Sequence, residues 1–400
     1  MEQMTKMEQA ELTEQDSGMG DGRDDGRDCG RESGSSGADV LQEMAERILE
    51  GYRLDPVRDL DFCQQLETAP FAAAGKAADR IRARFRKDVV DLCSIINGRS
   101  GLCGEDCKFC AQSCHHSTGC ERYPLLDQAT ILHAAGENQQ EGVNRFAVVT
   151  SGRGPSEEDF EKLLDIYARM HRTLSIQLCS SLGFLSEDQF RRLRAAGVTS
   201  YHCNIETSRH FFPKICTTHS FEDKLENIRR ARAAGLSVCS GGIIGMGETW
   251  QDRIDMAFTL KELDIRSIPI NSLVPVPGTP LEGLPRLTEE EILRTIILFR
   301  FINPEANIRL AGGRALMEQS GRNAFLMGAS ATITGNMLTT SGSTIRQDRR
   351  MLQGLGRTVI EPSALPEQSP RQLTVCIRHR SVDRGTKPEG SPCSAPITML

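Results

Sequence analysis

Between about residues 85 and 360, short apolar runs alternate with longer stretches in which apolar residues recur every three or four positions. The runs are "VVDLCSII", "RFAVVTS", "LSIQLCSS", "SYHCNIET", "LSVCSGGII", "SIPINSLV", "NIRLAG" and "ATITG". Their length suits buried strands, and the stretches between most of them read as amphipathic helices. Several helix starts are legible. At Ser156, Ser186, Thr249 and Thr288 a hydroxyl stands three residues before an acid or amide, the pattern of an N-terminal cap. Two helices run into "AAG", at Gly197 and Gly235, where glycine suits a left-handed C-terminal cap. Eight strands alternating with helices, at roughly thirty residues per unit, predict a TIM-type (β/α)8 barrel. A doubly wound open sheet is the alternative, and in either fold the chemistry belongs at the C-terminal ends of the strands.

Composition sets the ends apart. Residues 16–37, "DSGMGDGRDDGRDCGRESGSSG", have almost nothing apolar, and the tail beyond Pro362 is rich in Pro, Ser and Arg. Neither can bury enough surface to offset its ordering entropy. The expected organisation is therefore a disordered tail over 1–38, a helical segment over 39–84, the barrel over 85–360 and a second disordered tail over 361–400. A net charge of −6 argues against nucleic acid as the main partner. No stretch resembles a membrane span, and the hydrophilic first forty residues carry no pattern of a secretory leader. Fourteen cysteines in such a chain point to a reducing cytoplasm and to metal or redox chemistry rather than disulfides.

The cysteines divide by context. Cys29, Cys376 and Cys393 fall in the tails, and Cys63, Cys93, Cys114 and Cys120 read as small apolar fillers. Cys103, Cys107 and Cys110 do not. They sit in "SGLCGEDCKFCAQS", just after the first strand, and three thiols within eight residues call for a soft metal. Three is one short of a closed zinc or iron–sulfur site. Zinc could take His115 or His116 as a fourth ligand. Phe109, just before the last cysteine, instead offers a flat face to a purine ring.

The C-x3-C-x2-C spacing with that aromatic resembles the radical S-adenosylmethionine superfamily. In that superfamily three thiolates hold a 4Fe–4S cluster, and S-adenosylmethionine completes the open iron. A wider set of motifs resembles the biotin synthase family: "LCSSLGFLS", "YHCNIETS", "PKICTTH", "VCSGGIIGMGET", "PINSLVPVPGTPL" and "IRLAGGR". The resemblance runs in order from about residue 85 to 358, and within it the chain is most similar to clostridial members. It implies sulfur insertion into dethiobiotin, two S-adenosylmethionine molecules cleaved per biotin, a flavodoxin- or ferredoxin-type electron donor and a homodimer.

The resemblance also assigns residues. Backbone at Thr150, Ser151 and Gly152 would hold the methionine amino group, and Lys224 stands where an arginine usually meets the carboxylate. Asn204 and Glu206 match a pair that touches ribose and substrate, and Ile243 would pack on adenine. Asn271 matches a substrate-amide contact, and His202 replaces an asparagine at the ureido ring. Strand alternation puts His202, Asn204 and Glu206 on one face.

An auxiliary cluster that donates sulfur would use Cys179, Cys239 and Arg309. Its usual strand-two cysteine is Ala147 here, so a substitute ligand is expected. Cys216 is the first candidate and Cys203 the rival, with the cluster either 2Fe–2S or 4Fe–4S. Other readings are a different radical barrel enzyme, of the hydrogenase-maturation or methylornithine-synthase type, and a non-catalytic iron–sulfur carrier.

Overall fold

The computed structural model describes residues 37–335 and 343–359. Apart from residues 37 and 38, which open the first helix, the tails read above as disordered lie outside the described residues, as do Cys29, Cys376 and Cys393. Three helices come first: α1 (Gly37–Leu49), α2 (Leu60–Gln65) and α3 (Phe71–Arg86). The strands are β1 (Val89–Arg99), β2 (Arg145–Thr150), β3 (Gln177–Ser181), β4 (Val198–His202), β5 (Ser237–Cys239), β6 (Gly242–Ile244), β7 (Ser267–Ser272), β8 (Asn307–Leu310), β9 (Ala331–Ile333) and β10 (Thr358–Val359). Between them lie α4 (Gln128–Gln140), α5 (Glu157–Thr173), α6 (Glu187–Ala195), α7 (Phe221–Ala233), α8 (Trp250–Glu262), α9 (Glu289–Ile302) and α10 (Ile345–Gly354).

All pairings between these strands are parallel, and β9 returns to pair with β1, which closes the sheet. A closed ring excludes the open doubly wound alternative. The eight staves are β1 to β4, then β5 with β6, then β7, β8 and β9; β10 adds to the start of β1. The fifth stave is broken at Ser240–Gly241 because it presses against its neighbour there. A Cβ at Gly241 would collide with the carbonyl oxygen of Pro269.

The expected caps form. Ser156 accepts from the Asp159 amide, and Ser186, Thr249 and Thr288 each make reciprocal capping boxes. Gly197 and Gly235 take left-handed φ of 99° and 80° at their helix ends. Two further capping boxes, Ser220 with Asp223 and Thr344 with Gln347, follow the same rule in "SFED" and "TIRQ".

The barrel floor is polar. Asp91, 2 % exposed, accepts from Arg145 Nε at 2.9 Å and from Arg309 at 2.8 Å. Burial alone would raise the Asp91 carboxyl, but the two guanidiniums hold it well below the usual carboxylate range. Its folded value is depressed, so its contribution is complete above the unfolded value of about 3.9 and is lost as pH falls below it. Removing the carboxylate would strand two buried cations. Asp91→Ala is expected to destabilise the barrel by roughly 3–5 kcal/mol, read from urea unfolding at neutral pH.

Candidate active site

A cavity of about 400 Å³ opens at the C-terminal strand ends. The three-cysteine loop forms one wall. It leaves β1 through Gly101 and doubles back on itself, with the Cys103 amide donating to the Gln112 carbonyl at 3.0 Å and the Cys114 amide to the Cys103 carbonyl at 2.7 Å. The Gln112 side chain accepts from the Gly101 amide at 3.1 Å, which fixes the loop's root. The Cys110 amide donates to the Cys107 carbonyl at 2.9 Å, so the last two cysteines sit in one tight turn. Phe109 and Cys110 line the cavity.

The segment Thr150–Gly152 is fastened to that loop. Ser151 Oγ donates to the Gly101 carbonyl at 2.7 Å, and Arg99 Nε donates to the Ser151 carbonyl at 3.0 Å. Arg99 is held in turn by Asp159 at 3.0 Å. Gly152 takes φ of 109°, which a side chain would resist. Thr150 Oγ1 is buried there without a partner.

His202, Asn204 and Glu206 all line the cavity, as their alternation predicts. Asn204 Oδ1 accepts from the Gly241 amide at 3.2 Å. Glu206 closes the strand end in a left-handed conformation, φ 69°, and the Ile243 amide donates to its carbonyl at 2.8 Å. A non-glycine residue held there costs about 1–2 kcal/mol and persists only where its surroundings impose it. Burial pushes the Glu206 carboxyl up, and Lys224, 3.9 Å away, opposes that. Its Oε2 is buried with no partner, an acceptor suited to a ligand hydroxyl. Ile243 and Asn271 also line the cavity. Asn271 is pinned by backbone on both sides, donating to the Gly242 carbonyl at 3.1 Å and accepting from the Gly312 amide at 2.9 Å.

Cys239 and Arg309 lie at the cavity's inner end, and Cys179 is buried beside them. The Cys179 thiol is held well below its usual range, first by the Cys93 thiol and then by His202 and Arg145. His202 therefore faces Cys179 as well as the cavity.

Cys216 lies beside the loop cysteines. Its Sγ lies 3.7 Å from that of Cys107 and 3.3 Å from His219 Nδ1, and it donates to Asp106 Oδ1 at 3.2 Å. The short turn Phe212–Lys214 after β4 folds toward the cysteine loop, and the Lys108 amide donates to the Ile215 carbonyl at 2.9 Å. Cys216 is thus committed to the rim, beside the first cysteine set. Cys107, Cys216 and His219 offer ligand atoms all within 4.8 Å of one another. His219 also bonds Glu105. The rival Cys203 accepts from Asn227 Nδ2 of α7 at 3.4 Å. His219, Glu105 and Asp106 were not singled out from the sequence; "TTH" and "GED" gave only unassigned polar residues.

A parallel barrel with a three-cysteine loop after its first strand defines the radical S-adenosylmethionine class. Residues 99–260 match the Radical SAM superfamily and residues 269–358 the Biotin and Thiamin Synthesis associated domain. A biotin synthase of Clostridium perfringens (strain 13 / Type A) is 55% identical over 284 residues, 71% of this chain and 89% of its own length. Biotin synthases of Clostridium beijerinckii and Alkaliphilus metalliredigens are each 52% identical, over 80% and 79% of this chain and 100% and 98% of their own. The chain belongs to the biotin synthase family. With that membership come a 4Fe–4S cluster and S-adenosylmethionine. Two solved structures share the fold: methylornithine synthase, TM-score 0.69 at 19% identity over 80% of this chain and 98% of that one, and an FeFe-hydrogenase maturase, 0.68 at 15% over 80% and 75%. Among the described residues no helix is long and apolar enough to cross a membrane.

The glycines behind Glu206 make its placement testable. A Cβ at Gly242 would collide with the Glu206 carbonyl oxygen and with Met256 Sδ. Gly242→Ala is expected to weaken S-adenosylmethionine binding about tenfold, since overpacking of this kind costs about 1–3 kcal/mol. Calorimetric titration of the reconstituted protein measures the loss, and circular dichroism checks that the barrel persists.

Proposed function

We propose that this chain converts dethiobiotin to biotin by radical insertion of one sulfur atom between the methyl carbon and the ring-adjacent methylene carbon. The observation that carries the reading is the presence of two separate thiol sets on one cavity. Cys110 of the loop set and Cys239 line it, with Cys103 and Cys107 in the same loop as Cys110 and Cys179 buried beside Cys239. A carrier would need neither the second set nor the polar side chains between them.

When bound, the clusters supply the electron that cleaves S-adenosylmethionine and the sulfur that enters the product. The chain's own residues do the positioning. Phe109 and Ile243 offer apolar faces to adenine. Asn204 and Glu206 take the ribose hydroxyls, consistent with the unpartnered Glu206 Oε2. Thr150, Ser151 and Gly152 hold the amino group through backbone, and Lys224 meets the carboxylate. Asn271 and His202 orient the substrate amide and ureido groups. Cys179, Cys239 and Arg309 surround the auxiliary cluster, of the 2Fe–2S or 4Fe–4S type. Two C–H bonds break and two C–S bonds form per biotin, and one hydrogen leaves with each of two adenosyl groups. The low-exposure walls exclude water from the reacting carbons. A flavodoxin- or ferredoxin-type donor, a cytoplasmic setting and a homodimer complete the proposal.

Two variants test it in the anaerobically reconstituted enzyme. Cys107→Ala is expected to abolish both 5′-deoxyadenosine and biotin, because two thiolates do not secure a cluster with one iron left open. Cys239→Ala is expected to separate the steps, keeping 5′-deoxyadenosine formation with dethiobiotin present while biotin is lost. Normal biotin yield from Cys239→Ala would overturn the internal sulfur source, and cleavage by Cys107→Ala would overturn the loop's role.

A further inference from the structure

The strand register carries one assignment further. Inward side chains of an eight-stranded parallel barrel stack in layers of four, each layer drawn from alternate staves. Crossing two staves at constant height moves the register by two residues, because the strands tilt. From Cys93 on β1, pairing leads through Arg145 to Gln177 on β3, and two residues on is Cys179. From Cys179, pairing leads through Ser200 to Ser237 on β5, and two residues on is Cys239. From Cys239 it leads through Ser267 to Asn307 on β8, and two residues on is Arg309. From Arg309 it leads through Ala331 to Asp91 on β1, and two residues on is Cys93 again. The circuit closes. Cys93, Cys179, Cys239 and Arg309 are one layer, from the odd-numbered staves.

Barrel layers are ordinarily filled by bulky branched residues. This one holds three thiols and a guanidinium, each at most 5 % exposed. Cys239 Sγ lies 3.2 Å from Ser267 Oγ, and Arg309 Nε is buried without a partner. Cys93, Cys239 and Arg309 border a void of about 20 Å³, and Cys239 and Arg309 also border the large cavity. Ala147 is not in the layer. Its register places it with His202, Pro269 and Ile333 in the next layer toward the cavity, and its single methyl leaves the path between Cys93 and Cys179 clear.

We propose that Cys93 is the thiolate that replaces the missing strand-two ligand, so that Cys93, Cys179 and Cys239 bind the auxiliary iron–sulfur cluster beside Arg309. This rests on the biotin-forming reading for the cluster's existence, not for its ligands. It also removes the need for Cys216, which belongs to the rim.

The test uses Cys93→Ser in the full chain, reconstituted anaerobically with iron and sulfide. Iron and sulfide per chain are expected to fall to the content of the loop cluster alone, and the second cluster's Mössbauer signal to vanish. 5′-Deoxyadenosine formation is expected to continue. Cys93→Ala gives the same readout if the serine hydroxyl disturbs the layer, and thermal melting of both verifies the fold. Adding Ala147→Cys to Cys93→Ser is expected to restore part of the lost iron. Full iron and an unchanged spectrum in both single variants would overturn the assignment. So would loss of the second cluster in Cys216→Ser with its retention in Cys93→Ser. Failure of the doubly loaded parent enzyme to form biotin would instead sink the functional reading and leave the ligand result standing.

Discussion

A parallel sheet can close into a ring only if its strands are staggered, and that stagger decides which residues of distant strands share a height inside the barrel. Here four two-residue steps carry the register from β1 around to β1 again. The thiols of β1, β3 and β5 share a layer for this reason, since they lie far apart in the chain. The stagger also separates the two thiol sets along the barrel axis. One set belongs to a loop beyond the strand ends, the other to the strands themselves, and the cavity occupies the interval. On the proposed function, a substrate held there would have a radical source on one side and a sulfur source on the other.

The two asparagines of the cavity are positioned by backbone. Asn204 and Asn271 are tied to the amides and carbonyls of Gly241, Gly242 and Gly312. At the break in the fifth stave a Cβ at Gly241 would collide with the Pro269 carbonyl oxygen and one at Gly242 with that of Glu206, while one at Gly312 would crowd Asn271 itself. Backbone partners leave each amide side chain with unused hydrogen-bonding capacity, since an Asn offers two donors and two lone pairs. That capacity faces the cavity. Glu206 reaches it through a left-handed turn that the strand contacts enforce. The arrangement is preorganised: the cost of holding the groups is met on folding, before any ligand arrives.

Much of this was legible in the sequence. The eight strand runs were visible because buried parallel strands are nearly uniformly apolar, and the helix starts because a capping hydroxyl must stand three residues before its acid or amide. His202, Asn204 and Glu206 could be put on one face from alternation alone. Cys93 could not be placed. Alternation says which side of a strand a residue takes, but the height it shares with other strands depends on pairings that no single segment encodes. The setting of Cys216 was hidden for a related reason. Its loop has no periodicity, and the bond from Lys108 to Ile215 and the contact of Cys216 with Cys107 show that it folds toward the cysteine loop. The break between β5 and β6 was hidden in "CSGGII", which reads as one run until the Pro269 carbonyl is seen to occupy the space beside Gly241.

The charges beneath the thiol layer bear on what that layer can hold. Asp91 lies between Arg145 and Arg309 and neutralises only one of them, so the triad carries one net positive charge in a region of low dielectric. Unpaired buried charge is costly unless an opposite charge lies near it. Three thiolates around iron and sulfide, as proposed above, would supply negative charge there. The triad and the layer therefore answer each other, the cations favouring ionised sulfur and the sulfur offsetting the surplus cation. The Asp91 contact also bears on Arg309 itself. Burial would lower the guanidinium's proton affinity, but Asp91 raises it above the ordinary value, so Arg309 stays charged. A charged guanidinium has no lone pair to offer iron. Its free Nε–H can donate to a sulfide or thiolate instead. If the auxiliary cluster proposed above is bound, three cysteines would carry the metal–protein bonds, and Arg309 would complete the layer as a hydrogen-bonding cation.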